Sequence, residues 1–281
     1  MAVTTELVAQ VIEKIAPKSW AEDWDNVGLL IGCGTTPVER ILITLDGTLD
    51  VVEEAKAFGA QLIVAHHPII FRPLKNLRAN NPAAQVPLRL LQHQIGYYVA
   101  HTNLDQSVLS SSRALGEVLG LKDMKILEAS SPDLRPLLKD GEARGYGVSG
   151  YLPKPETLGE VWKRFLGSLR QPGVYAQPYE LGGVRLAGSL ERVIQKVAIV
   201  NGSGASFVQK ALFKGADLII TGDVDHHAAL DALEGGMAVG DLGHFLSEAP
   251  MLQAMADYLS TDKALQGIEI RVSSRNCSPW L

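Results

Sequence analysis

Cysteine is scarce in this chain: Cys33 and Cys277 are the only two among 281 residues. Two thiols are too few for a disulfide framework or a four-cysteine zinc ribbon, and as free thiols they fit a reducing compartment. The expected location is therefore cytoplasmic. Long apolar runs are missing as well. No stretch approaches the ~20 residues that a membrane span needs. The segment from Met1 to Pro17 is broken by polar residues, with no basic region ahead of an apolar core, which is the wrong shape for a signal peptide. Positive charge is in deficit, with 26 Lys and Arg against 31 Asp and Glu and a net charge of −5, so a nonspecific nucleic-acid binder is disfavoured. What is present, 46% hydrophobic and 20% charged residues, is the composition of an ordinary globular protein with enough chain for one large domain or two modest ones.

The apolar pattern alternates between short β-branched runs and helical spacing. Thr4 to Ile15 reads as an amphipathic helix capped by Thr4 or Thr5 and ended by Pro17. A turn at Trp24-Asp25-Asn26 feeds a strand ending at Gly32. Ile41 to Asp46 is a buried strand, Val51 to Phe58 a helix closed by Gly59, and Leu62 to Ala65 a second buried strand. Phe71 to Pro87, with its prolines, asparagines and the cations Arg72, Lys75 and Arg78, reads as a loop able to rim a site. A helix from Leu88 to Gln94, containing a structural His93, leads to a strand at Tyr97 to Ala100, and Ala114 to Leu119 is helical. The pattern returns at Lys196 to Val200, with the loop Asn201 to Ser206 and a helix from Phe207 to Phe213. There Gly215-Ala216-Asp217-Leu218-Ile219-Ile220-Thr221-Gly222-Asp223 mirrors Gly59-Ala60-Gln61-Leu62-Ile63-Val64-Ala65-His66-His67. The mirrored stretches imply an internal duplication of strand–helix–strand halves joined by right-handed crossovers. The expected fold is thus α/β, with two related halves (1–121 and 191–281) built on mostly parallel sheet. A smaller α+β insertion (122–190) lies between them, antiparallel with one helix at Leu158 to Leu169 introduced by Thr157.

Chemistry concentrates where strands end. His66 and His67 follow a buried strand and precede Pro68, which biases His67 away from helix. At the carboxyl edge of an α/β sheet both imidazoles can turn to one point, the usual place for a site, and imidazole is the commonest metal ligand. The same doublet also fits a surface turn. Asp105 follows the Tyr97–Ala100 strand to the same edge, and a carboxylate with imidazoles suits zinc, iron or manganese or bridges two ions; the alternative for Asp105 is a turn cap. In the second half, His244 and Glu248 lie four apart on a helix and share a face, after a strand–turn that matches Tyr97 to Asp105. Asn201 to Ser206 is a tight turn or a phosphate-holding loop, and it is neither a Walker loop nor a dinucleotide fingerprint. His226 and His227, at a helix start, are proton carriers, outer partners that brace a metal ligand, or plain surface residues.

Five ordered motifs, Asp25-Asn26-Val27-Gly28-Leu29, Ala65-His66-His67-Pro68, His101-Thr102-Asn103-Leu104-Asp105, Thr221-Gly222-Asp223 with His226-His227, and Gly243-His244-Phe245-Leu246-Ser247-Glu248, resemble the Nif-three-like (NGG-interacting factor) family. Its members are also known as GTP cyclohydrolase 1 type 2 homologues or dinuclear metal-centre proteins. The resemblance spans both halves but not the region around 122–190. It implies a two-metal site at His66, His67, Asp105, His244 and Glu248, and a ring-shaped homohexamer with the metals facing an internal cavity. It also implies a metal-dependent hydrolase that opens the imidazole ring of GTP, or of a similar purine nucleotide, and releases formate. In that reaction His226 or His227 would carry protons. The alternative it leaves open is a non-enzymatic metal-binding or scaffold ring.

Overall fold

The computed structural model describes residues 2–130, 144–275 and 278–280; Cys277 lies outside them. In chain order the elements are α1 (Thr5–Glu13), β1 (Gly28–Ile31), β2 (Arg40–Thr44), α2 (Leu49–Phe58), β3 (Leu62–Ala65), α3 (Pro82–Gln92), β4 (Gly96–Val99), α4 (Thr102–Asp105), α5 (Ser111–Leu119), β5 (Lys122–Ala129) and β6 (Gly145–Thr157). They continue with α6 (Leu158–Leu169), β7 (Arg185–Ala187), β8 (Val193–Ser203), α7 (Val208–Phe213), β9 (Leu218–Gly222), α8 (His226–Glu234), β10 (Ala238–Asp241), α9 (His244–Glu248), α10 (Pro250–Thr261) and β11 (Glu269–Val272). They divide into two compact units, Met1–Leu104 with Leu252–Cys277, and Asp105–Met251 with Ser278–Leu281. No helix among the described residues is long and apolar enough to cross a membrane.

The first unit holds a five-stranded sheet in the order β1-β4-β3-β2-β11. β4, β3, β2 and β11 run parallel, and β1 closes the edge antiparallel to β4. Every residue of β3 and β4 is buried. That burial explains the unbroken apolar runs, because a parallel strand covered on both faces has no polar side to present. Leu42, Ile63, Ala65, Tyr97 and Val99 pack with Val51, Val52 and Ala55 of α2 and with Leu90 of α3. α2 begins where the Thr48 hydroxyl accepts from the Val51 N–H (3.3 Å) and stops at Gly59, φ +74°, the left-handed position that glycine adopts without strain.

One expectation is corrected here. The loop does not extend to Pro87: α3 starts at Pro82, with Asn81 accepting from the Ala83 N–H at 3.2 Å. Proline at the first helical position costs nothing, since that N–H has no helical partner. Pro87 lies buried inside the helix, where packing outweighs the one lost backbone bond. His93 caps this helix rather than sitting within it.

The second unit holds a six-stranded mixed sheet, β5-β6-β8-β9-β10-β7. β8, β9 and β10 are parallel, while β5, β6 and β7 pair antiparallel around them. Segment 122–190 thus lays its strands into this sheet and supplies α6, which opens with a capping box between Thr157 and Glu160. Ala198, Val200, Val208, Ala211, Ile219, Met237 and Val239 form the unit's core.

The duplication is legible bond by bond. Gln61 N–H donates to the Arg40 carbonyl (3.1 Å), Ala60 to Ala55 (2.9 Å) and Gly96 to Gln61 (2.8 Å). In the other unit Asp217 donates to Lys196 (2.8 Å), Ala216 to Ala211 (3.0 Å) and Ala238 to Asp217 (2.8 Å). Gly59 (φ +74°) and Gly215 (φ +72°) turn the chain the same way before β3 and β9. β2, β3 and β4 therefore correspond to β8, β9 and β10.

Candidate metal centre

In the first unit the ladder continues just past the strand ends. His66 N–H bonds to the Thr44 carbonyl (3.1 Å), His67 N–H to Leu45 (2.9 Å) and Ala100 N–H to Ala65 (3.0 Å). These bonds hold His66, His67 and the following His101 at one edge of the sheet. Their rings form a cluster with centroids 4.9 Å (His66–His67), 5.0 Å (His66–His101) and 5.5 Å (His67–His101) apart. One ligand nitrogen from each lies within 4.8 Å of the other two.

The orientation of each ring is set by its Nδ1. His66 Nδ1 bonds to the Ala100 carbonyl at 2.8 Å. Because a carbonyl only accepts, the proton is on Nδ1 and the lone pair on Nε2. His67 Nδ1 donates to Asp46 (2.8 Å) and His101 Nδ1 to Asp25 (2.8 Å), with the same consequence. This is the carboxylate- or carbonyl-braced imidazole found around metal ions, in which the outer partner fixes the tautomer and raises the basicity of the ligating nitrogen. The donor chemistry therefore fits a divalent metal.

Asp25 is itself fully enclosed at its side chain and accepts from the Thr102 hydroxyl (2.6 Å), the Thr102 N–H (3.1 Å) and the Asn26 N–H (2.7 Å). Burial pushes its carboxyl upward, but the hydrogen bonds from His101 and Thr102 outweigh that and hold its pKa at about 2. Tyr97 completes the edge, its hydroxyl donating to the His67 carbonyl at 2.9 Å.

The second unit presents its own donors. Gly243, φ +75°, turns β10 into the short α9, on which His244 and Glu248 share a face with Nε2 and Oε2 3.2 Å apart. His244 Nδ1 is held by Asp223 at 2.7 Å, and Glu248 is buried. Asp105 accepts from Asn201 Nδ2 at 2.7 Å, while a Cβ on the adjacent Gly202 would lie 2.2 Å from Glu248 Oε1. Consecutive residues at the end of β8 thus hold one carboxylate and back the other. Serines brace the arrangement: Ser111 donates to the Glu248 carbonyl (2.6 Å), and Ser247 accepts from the Gly202 N–H (2.9 Å).

Two further sequence expectations concern residues of this unit. Asn201 to Ser206 is not loop throughout, since Asn201 to Ser203 finish β8. The amides of Asn201, Gly202 and Gly204 are bonded to Ser112, Ser247 and Gly222. His226 and His227 form an exposed pair, centroids 5.4 Å apart, that opens α8 behind the Asp225 cap. Among the described residues they join none of the clusters with metal-ligand spacing. The sequence reading gave no role at the site to His101 or to the bracing acids Asp25, Asp46 and Asp223, although His101, Asp25 and Asp223 stand in the motifs that carry the family resemblance. The signal for His101 and Asp46 was available: each stands two residues past a buried strand at the edge that carries His66.

The fold and these donor groups define an α/β protein with imidazole and carboxylate clusters suited to binding a metal ion. More particularly, the chain belongs to the Duf34/NIF3 (NGG1p interacting factor 3) family, whose profile matches residues 3–279. It is 36% identical over 273 residues to a GTP cyclohydrolase 1 type 2 homolog of Clostridium perfringens, covering 97% of both chains. It is 32% identical over 279 residues to the Streptococcus pneumoniae protein of the same name, again with 97% of each covered. Among solved structures, a Bacillus cereus protein related to NIF3 superposes with a TM-score of 0.88 at 25% identity, covering 100% of this chain and 99% of the other.

Proposed function

We propose that this protein is a dinuclear metal-dependent hydrolase of a purine nucleotide, opening the imidazole ring of GTP or a close analogue with release of formate. The observation that carries the reading is the set of imidazoles whose Nδ1 atoms are tied to Ala100, Asp46, Asp25 and Asp223, the outer bracing that orients a metal-ligating ring. In this reading the residues that would hold two divalent ions, zinc, iron or manganese, are His66, His67, Asp105, His244 and Glu248. When bound, the ions supply the Lewis acidity that makes water a nucleophile near neutral pH. The carboxylates of Asp105 and Glu248 would supply the anionic oxygen ligands beside those imidazoles. Asp46 and Asp223 keep His67 and His244 in the ligating tautomer. His226 and His227, exposed at the start of α8, exchange protons with solvent. Arg72 and Lys75, exposed on the segment before α3, neutralise substrate phosphates. Assembly as a ring-shaped homohexamer belongs to the same reading and rests on family membership.

Elemental analysis of the purified protein combined with formate release from GTP tests this. The expected result is about two metals per chain, and turnover that is lost together with metal in Glu248→Gln. Metal without turnover on any purine nucleotide would favour a scaffold or storage role, and failure to bind metal after reconstitution would overturn both.

A further inference from the structure

Trp24 and Phe71 are large aromatics that the fold leaves in solvent, 57% and 48% exposed. They are also neighbours, with ring centroids 5.8 Å apart, and the Trp24 indole stands edge-on to His101 at 6.3 Å. Their placement is not the slack of a surface loop. Asn26 Nδ2 donates to the Ile70 carbonyl at 2.5 Å, tying the turn that bears Trp24 to the segment that bears Phe71. Glu22 N–H donates to the Thr102 hydroxyl (3.0 Å), and that hydroxyl donates to Asp25 (2.6 Å), so the residues on both sides of Trp24 are bonded to the backbone stretch that carries His101. A rigid, exposed π surface forgoes the burial that usually stabilises a tryptophan. Its position beside the imidazole cluster gives it a use.

We propose that Trp24, backed by Phe71, is the stacking platform for the planar base of a purine nucleotide, with Arg72 and Lys75 on the same segment receiving the phosphate. This rests on the hydrolase reading and assigns its substrate subsite. An indole face accepts any flat heteroaromatic ring, so it supplies affinity, and the braced imidazoles beside it determine which edge of the ring is presented. Arg72 follows Phe71 directly and Lys75 lies three residues further on, both exposed, which suits a ligand that carries its anion at one end of a flat ring.

The test is calorimetric titration of the metal-loaded protein with GMP and with ribose 5-phosphate, for wild type, Trp24→Phe, Trp24→Ala and the double variant Arg72→Ala/Lys75→Ala. Metal content and native mass are measured on each sample. Trp24→Ala is expected to weaken GMP binding by about tenfold to a hundredfold, the range of one base–aromatic stack. Trp24→Phe should stay within a few-fold of wild type, and ribose 5-phosphate should not distinguish the three. The double variant should weaken both ligands. Equal GMP affinity in Trp24→Ala and wild type, or no GMP binding by the wild type, would overturn the platform. So would a change of native mass in Trp24→Ala with GMP affinity unmoved, which would make this face a contact between copies. Metal content is expected to be unchanged in every variant. If wild type takes up no metal, the hydrolase reading fails, while GMP titration of that same protein still decides the platform.

Discussion

The Asp25 carboxylate accepts a hydrogen bond from His101 Nδ1 at 2.8 Å, joining the turn ahead of β1 to the end of β4 across 76 residues of chain. This bond decides which nitrogen of His101 carries a proton, and it also closes the sheet edge on which the imidazoles stand.

Its pH dependence follows from the sign of the shift. The folded Asp25 carboxyl lies at about 2, below its ordinary 3.8, so its stabilisation is present above the unfolded value and is lost as pH falls through about 2. Thermal melts of chelated protein between neutral pH and pH 3 should show falling stability in wild type and a flatter curve in Asp25→Asn. Parallel curves would mean that the carboxylate is not held as described.

The bracing acids should govern metal affinity more than fold. Asp46→Asn and Asp223→Asn replace the charged acceptors that anchor His67 and His244 with neutral amides, one of whose two terminal groups can only donate. Loss of such outer partners costs about 10- to 100-fold in metal affinity. Competition with a chromogenic chelator measures this, and near-unchanged melting of the metal-free variants would separate it from misfolding.

Gly202→Ala is a sharper probe of the second unit. Gly202 has φ +64°, and the added methyl would lie 2.2 Å from Glu248 Oε1. Either the β8 end or the glutamate must move, and because Glu248 is buried among bonded serines the displacement has little room to relax. The expected outcome is markedly reduced metal loading with some loss of stability. Loading equal to wild type would remove Glu248 from the ligand set.

A control far from the site is Thr157→Ala. It deletes one arm of the capping box of α6, whose Thr157 hydroxyl accepts from the Glu160 N–H at 3.4 Å and donates to the Glu160 carboxylate at 2.8 Å. A loss of about 1 kcal/mol in denaturant unfolding is expected, with metal content unaffected.

Much of this protein is written locally, and local features are what a sequence determines by itself. The buried strands Leu62–Ala65 and Leu218–Gly222 announce themselves by apolar runs, and the glycines after α2 and α7 by the turn that only they make cheaply. His244 and Glu248 share a helix face because 3.6 residues per turn put them there. The duplication is visible because both halves repeat the same run before the strand end. Composition alone misled where a residue type has two uses: prolines at 82 and 87 start and tolerate a helix as readily as they break one. Asn201 and Gly202 look like loop but extend a strand. Only the tertiary structure decided what meets at the sheet edge. That His101 joins His66 and His67, that Asp25, Asp46 and Asp223 each choose one imidazole nitrogen, and that Trp24 is held in solvent beside His101 depend on residues tens of positions apart. Such pairings arise when strands take their places in the sheet, because hydrogen bonds between distant side chains leave no periodic trace along the chain.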